Sequence, residues 1–289
     1  MSRATRPGAI LRRTLIALVV CAPAGLSAAP GGATERSSGC GAPPQMPPQT
    51  FEVAGQERRA IVVVPKDYKA DRPHALLFAF HGRTNDNARA RRYFGLERAA
   101  AGPTIYIYPA GLRDRTGKFT WADPDDPPDA LRDFALFDVI FDRIASAYCV
   151  DRDAVYVVGH SLGASFANSL ACARADQIRG VAAVAGGIAP SECSDHVAAL
   201  LLHNPRDQAV RVSEGERARD ALLGQPSEAI EPVRRRFAGF DCNRYGDAAN
   251  PILWCLHTQD FTPRGRFYPH QWPRGAARAV HRFFATLAG

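Results

Sequence analysis

The sequence predicts an α/β domain, a mostly parallel central sheet with helices on both faces. Three observations predict it. Ala75–Phe80, Val155–Val158 and Val197–His203 are continuous apolar runs, as expected of strands buried on both faces. Stretches with apolar residues at helical spacing lie between such runs. Repeated β-α alternation then requires crossovers that place helices above and below the sheet.

Taken in order, residues 30–50 are rich in Gly, Pro, Ser and Gln and read as an extended N-terminal segment, with a single domain over 51–289. Arg59–Val64 is a β-branched run ended by Pro65, and Ala75–Phe80 is the next strand. Arg89–Ala101 has helical spacing and stops near Gly102-Pro103, and Thr104–Tyr108 is a strand closed by Pro109. Asp133–Tyr148 is amphipathic, with Phe134, Phe137, Ile140, Phe141 and Ile144 along one side. Val155–Val158 leads into a helix over Leu162–Arg174, and Val181–Ala185 and Val197–His203 are further buried strands. Ser213-Glu214-Gly215-Glu216 reads as a capping box for a helix that stops at Gly224. Residues 225–250 read as loop, Ile252–Leu256 and Arg266–Tyr268 as short strands, and Gly275–Leu287 as a terminal amphipathic helix.

The first 29 residues read as a secretory signal. Arg3, Arg6, Arg12 and Arg13 precede the short apolar run Thr14–Leu26, and small residues follow from Ser27. The run is too short to span a bilayer comfortably, Cys21 sits in a poor lipidation context, and Arg12-Arg13 leaves the general and twin-arginine routes both open. A secreted or periplasmic protein is expected. Removal of the leader takes four arginines and no acids, lowering the formal charge from +7 to +3, so basicity gives no support for a nucleic-acid partner. Six cysteines remain: Cys40, Cys149, Cys172, Cys193, Cys242 and Cys255. In an exported chain they point to disulfides, against the alternative of six free thiols. Their spacing matches no zinc motif, and no cofactor is implied.

Chemistry enters at Gly159-His160-Ser161-Leu162-Gly163, directly after an apolar strand. Gly-x-Ser-x-Gly between strand and helix is the nucleophile-elbow pattern, in which glycines make room for a sharp turn that exposes the serine hydroxyl. Such a serine needs a histidine base and an acid, following it in the order serine, acid, histidine. Asp207 follows the strand ending at His203 and is the candidate acid, ahead of Asp195, Asp241 and Asp260. His270, in Pro269-His270-Gln271-Trp272-Pro273, is the candidate base, ahead of His257 at a strand end and His281, which reads as a surface or half-buried helix residue. The amides of Leu162 and of Arg83, in the turn His81-Gly82-Arg83, are the candidate oxyanion donors. His81, His160, Trp121 and Trp272 are candidate substrate contacts, the two tryptophans as aromatic walls.

These residues resemble the secreted feruloyl esterases of carbohydrate esterase family 1, relatives of extracellular polyhydroxyalkanoate depolymerases within the α/β-hydrolase superfamily. The resemblance runs from about Ser38 to Leu287. It is carried by Gly39-Cys40-Gly41, Tyr148-Cys149-Val150-Asp151, the elbow, Ala171-Cys172 and Val184-Ala185-Gly186-Gly187. It continues in His203-Asn204-Pro205-Arg206-Asp207-Gln208-Ala209-Val210, with Asn204 where the family has glycine, and in His270-Gln271-Trp272-Pro273. The glycines usual before that histidine are replaced by Phe267-Tyr268-Pro269. All six cysteine positions resemble the family's pattern.

The resemblance implies a serine carboxylesterase acting on hydroxycinnamoyl esters, from a plant cell-wall polysaccharide fragment or a small aromatic ester. A polyhydroxyalkanoate depolymerase or oligomer esterase, an acetylxylan esterase and a non-catalytic binding protein on the same fold are the alternatives. Among the cysteines, Cys242 and Cys255 lie 13 residues apart and suit a local bridge. Cys149 and Cys172, both expected near the bottom of the sheet, are a candidate second pair that would leave Cys40 and Cys193. Helix length and tilt decide whether they meet, so the connectivity of these four stays open.

Overall fold

The computed structural model describes residues 1, 35–100, 102–122, 126, 131–189, 193 and 195–288. Residues 35–288, where described, belong to one compact unit; of the first 33 residues only Met1 is described, so the expected signal sequence and Cys21 lie outside the described residues.

In chain order the elements are β1 (Thr50–Val53), β2 (Gln56–Val63), β3 (His74–Phe80), α1 (Asn87–Phe94), β4 (Thr104–Pro109), β5 (Leu112–Arg113), β6 (Phe119–Thr120) and α2 (Arg132–Ala147). Next come β7 (Val150–His160), α3 (Leu162–Ala173), β8 (Gly180–Val184), β9 (Ala198–His203), α4 (Val212–Leu223), β10 (Val233–Phe237), β11 (Phe240–Tyr245), β12 (Ile252–Leu256) and α5 (Ala276–Ala285). Among the described residues, ten strands form one sheet in the order β1-β2-β4-β3-β7-β8-β9-β12-β11-β10. The strands from β4 to β12 in that order run parallel, and antiparallel hairpins finish both edges.

The sheet has a core on each face, as its two-sided apolar strands require. Phe78, Val157 and Leu201 point to the face covered by α2, α3 and α4, where Phe137, Phe166 and Leu222 meet them. Leu77, Val158 and Leu200 point to the other, covered by α1 and α5 through Phe94, Phe283 and Phe284. Burial of this kind contributes about 25 cal/mol per Å² of apolar surface.

Several local expectations are corrected. Helix α1 starts earlier, because the Asp86 carboxylate accepts from Arg89 N at 2.7 Å. It also ends earlier, at Gly95, whose φ of 65° starts a 3₁₀ turn over Leu96–Ala99. Arg211, not Ser213, is the N-cap of α4, and no side chain caps that end. The stretch read as loop contains the hairpin β10–β11, which extends the sheet. Arg266–Tyr268 forms only a single bridge, Phe267 to Phe261.

The described part of the N-terminal segment is fastened to the bottom of the sheet. Ser37 Oγ donates to Tyr148 O at 2.7 Å and accepts from Val150 N at 2.9 Å. A Cβ on Gly39 would come within 2.5 Å of Tyr148 backbone atoms, so only glycine permits this approach. The three disulfides are Cys40–Cys149, Cys172–Cys193 and Cys242–Cys255. The pairing of Cys149 with Cys172 is thereby corrected. Cys149 faces the N-terminal segment that passes beneath β7, while Cys172, in the last turn of α3, faces the loop before β9.

Candidate active site

The elbow joins β7 to α3 with Ser161 at φ 59° and ψ −129°, a conformation that costs a non-glycine residue of order 1–3 kcal/mol. Its neighbours explain why the strain persists. Ser161 N donates to Val184 O at 2.9 Å, and Ser161 O accepts from Ala164 N and Ser165 N at 2.8 and 3.0 Å. A Cβ on Gly159 would lie 2.1 Å from Gly163 O, and one on Gly163 would lie 2.3 Å from Phe80 O. Both glycines are therefore fixed by close backbone approach.

His270 and Asp207 converge on this serine from separate loops. His270 Nε2 lies 2.7 Å from Ser161 Oγ, and its Nδ1 lies 2.6 Å from Asp207 Oδ2. The other Asp207 oxygen accepts from Ala209 N at 2.8 Å and Val210 N at 3.1 Å. Burial pushes the Asp207 carboxyl up, but the bond and charge of His270, with those two amides, hold it below the usual carboxylate range. Ser161, His270 and Asp207 thus form one hydrogen-bonded chain.

Their rivals lie elsewhere. His257 is buried, with its Nδ1 accepting from Gln259 N at 3.3 Å, and burial followed by the nearness of His203 holds it down to about 4. Asp260 is tied to Asn204 Nδ2 at 2.9 Å and Arg206 Nη1 at 2.7 Å. His281 is buried rather than superficial, its Nε2 3.0 Å from Leu96 O.

The turn after β3 passes over Ser161. A Cβ on Gly82 would lie 3.3 Å from both Ser161 Cβ and His160 O. Arg83 follows Gly82 as Leu162 follows Ser161, and neither amide donates to a backbone carbonyl among the described residues. His81 is fully buried and fixes this turn instead of facing a ligand. Gly111 N donates to its Nε2 at 3.0 Å, so the ring proton sits on Nδ1 and donates to Gly82 O at 2.9 Å. Burial, more than any charge, holds His81 down to about 4.

The expected aromatic walls are built differently. Trp121 is 5% exposed, stacks on Phe166 at 5.2 Å, and donates its indole N–H to His81 O at 2.8 Å. It is a core support for the Gly82 turn, because its apolar ring and single donor are both satisfied inside. Trp272 packs on Phe94 at 4.4 Å, and its amide donates to Tyr93 Oη, which anchors the His270 loop to α1. His160 is buried beside His270, with ring centroids 5.0 Å apart.

Two contributors escaped the sequence reading. Tyr93 holds the Trp272 amide, and nothing in the helical pattern around it signals a loop partner. Asn204, standing in the family's glycine position, shapes the acid loop: its carbonyl accepts from Asp207 N at 3.0 Å and its side chain reaches Asp260. A buried amide in place of glycine was the available signal.

An open cleft of about 700 Å³ lies beside Leu162, lined by the apolar Leu162, Ile188 and Ala209 and by the polar Gln208, Arg211 and Glu214. Among the described residues no cluster of His, Cys, Asp and Glu could hold a metal ion, and no helix is long and apolar enough to cross a membrane.

Comparison with known proteins bears on this geometry. A family model described as "Putative esterase" matches residues 52–254, from the end of β1 to β12. Feruloyl esterase D of Neurospora crassa is 28% identical over 94% of this chain and 96% of its own. A probable feruloyl esterase C of Aspergillus niger is 30% identical over 68% of this chain and 73% of its own. Among solved structures, the CE1 ferulic acid esterase of Anaeromyces mucronatus superposes with a TM-score of 0.53 at 16% identity, covering 82% of this chain and 90% of that one. Acetyl xylan esterase from Aspergillus awamori gives 0.58 at 12%, covering 79% and 94%. These two structures share the α/β-hydrolase fold. With the family model spanning both the elbow and the acid loop, the chain belongs to this esterase family and is a carboxylic ester hydrolase.

Proposed function

We propose that the protein is an exported feruloyl esterase that cleaves hydroxycinnamoyl esters of plant cell-wall polysaccharide through an acyl-enzyme on Ser161. The observation that carries this reading is the chain Ser161 Oγ, His270 Nε2, His270 Nδ1, Asp207 Oδ2, at 2.7 and 2.6 Å. His270 takes the hydroxyl proton as Ser161 Oγ bonds to the ester carbonyl carbon. The resulting oxyanion is met by the amides of Leu162 and Arg83, each such donor being worth about 3 kcal/mol. Collapse breaks the bond to the alkoxy oxygen, which leaves with the proton from His270. Water, deprotonated by the same histidine, then attacks the acyl-enzyme, and Ser161 recovers its proton as the acid departs. Asp207 holds His270 in the tautomer that keeps Nε2 free to accept.

The feruloyl assignment is supported by the names of the relatives. Export, to the periplasm or beyond, is supported by the three disulfides. The testing experiment compares kcat/KM on methyl ferulate, an acetylated xylan oligomer and a 3-hydroxybutyrate oligomer, with fluorophosphonate labelling of Ser161. A labelled enzyme that prefers ferulate supports the proposal. A tenfold preference for the hydroxybutyrate oligomer, about 1.4 kcal/mol, would overturn the feruloyl assignment and leave the esterase mechanism.

A further inference from the structure

The turn between β12 and the His270 loop exposes three large rings within a few residues. Phe261, Phe267 and Tyr268 are 59, 45 and 40% exposed, and none belongs to either core. Single exposed apolar side chains are ordinary, but a contiguous group marks a contact surface.

The rings are held in place. Phe261 and Phe267 pair across a bridge with centroids 5.5 Å apart, and Tyr268 N donates to Asp260 O at 2.7 Å. The guanidinium of Arg206 lies 5.2 Å over Phe267 while it binds Asp260 at 2.7 Å, and that of Arg266 lies 5.8 Å over Tyr268. The surface therefore offers aromatic faces bordered by hydrogen-bond donors. Tyr268 brings it to the reaction centre, its ring 6.0 Å from that of His270.

We propose that Phe261, Phe267 and Tyr268 form a leaving-group subsite that stacks the sugar rings of the polysaccharide alcohol. Its place beside His270 selects the occupant. His270 protonates the departing alkoxide, so the alcohol lies on the histidine side, while the carbonyl is held between Leu162 and Arg83 toward the cleft beside Leu162. A sugar ring has an apolar C–H face for the aromatic rings and a hydroxyl edge for Arg206 and Arg266. Three half-exposed rings fall well short of the roughly 800 Å² per partner of a stable protein interface, which disfavours a second copy of the chain. The inference rests on the esterase reading, and makes the polysaccharide part of the substrate a contributor to catalysis through remote binding.

The test takes the ratio of kcat/KM on an oligosaccharide ester to that on the methyl ester of the same acid. One pair is a feruloylated arabinoxylan oligosaccharide with methyl ferulate, and the other an acetylated xylo-oligosaccharide with methyl acetate. In Phe261→Ser/Phe267→Ser the ratio is expected to fall at least tenfold, mainly through KM of the oligosaccharide ester. Phe261→Tyr/Phe267→Tyr, which keeps the rings, should hold it within about twofold. An unchanged ratio in the serine variant overturns the proposal, as does an equal fall on both members of a pair. A wild-type dimer in sedimentation that the serine variant dissociates would also overturn it, by giving the surface to self-association. Turnover of the acetyl pair with none of the feruloyl pair would reject the feruloyl assignment alone, and the acetyl ratio would still decide the subsite.

Discussion

The rings of His160 and His270 lie 5.0 Å apart and tilted by 34°, so the residue before Ser161 braces the imidazole that Ser161 meets. Burial, and then the nearness of His270, hold His160 down to about 3, which keeps it neutral beside the base. His160→Ala should open space against His270 and lower kcat by roughly tenfold, since small misplacements of a catalytic group are costly. KM should change little. His160→Phe, which keeps a flat ring, should recover most of the rate. Equal loss in both variants would show that the packing of the ring is not what matters.

Acid should destabilise the fold well above the carboxylate range. Burial holds His81, His160 and His257 to about 4, 3 and 4 against an ordinary 6.5. A lowered histidine pKa means that the unfolded chain binds more protons between those values and 6.5. Stability is thus complete above 6.5 and is lost as pH falls toward about 4. Asp207, also lowered, adds a further loss once pH drops below the ordinary carboxylate value. Urea unfolding between pH 6 and 5 should report uptake of about three protons from these histidines. A flat profile over that window would contradict their neutral burial.

Thiol counting on denatured, unreduced mature protein should find none of the six cysteines free. Removing the disulfides singly should cost most for Cys40–Cys149, which spans 109 residues, less for Cys172–Cys193, which spans 21, and least for Cys242–Cys255, which spans 13. The chain-entropy account gives about 3 kcal/mol for a loop of 15 residues and about 4.7 for one of 100. A reversed ranking in denaturant midpoints would reject loop closure as their main contribution.

Arg58 and Asp133 form a pair with side chains 1% and 0% exposed and a contact of 2.6 Å. Asp133 also accepts from Ala122 N at 2.7 Å, which ties α2 to the segment behind Trp121. Arg58→Met should cost about 3–5 kcal/mol by stranding a buried carboxylate. Adding Asp133→Leu should recover part of the loss, but not the bond to Ala122. A single variant within 1 kcal/mol of wild type in urea would show that the pair is not needed.

Legibility from sequence followed the physics of each part. The meeting of Ser161, His270 and Asp207 was readable because a strand followed by Gly-x-Ser-x-Gly has few other uses, and because chain order restricts its partners. The central strands were readable from their two-sided apolarity. Hairpin β10–β11 was not, since Val233-Arg234-Arg235-Arg236-Phe237 has no alternation and takes its register from β11 instead. The disulfide partners of Cys149 and Cys172 depended on where distant segments cross the base of the sheet. Trp121 was misread because a loop position says nothing about the direction in which a ring turns.

The outermost strand of the sheet carries Arg234, Arg235 and Arg236, all exposed, at an edge whose backbone groups meet no further strand among the described residues. An open edge is a template on which another chain can be added, and consecutive like charges there make that addition repulsive. The same row that hid the strand from a reading of hydrophobic pattern therefore acts against fibrillar growth. Colloidal behaviour should be governed at this edge by ionic strength, with crowding at high salt bringing molecules together where dilute buffer keeps them apart.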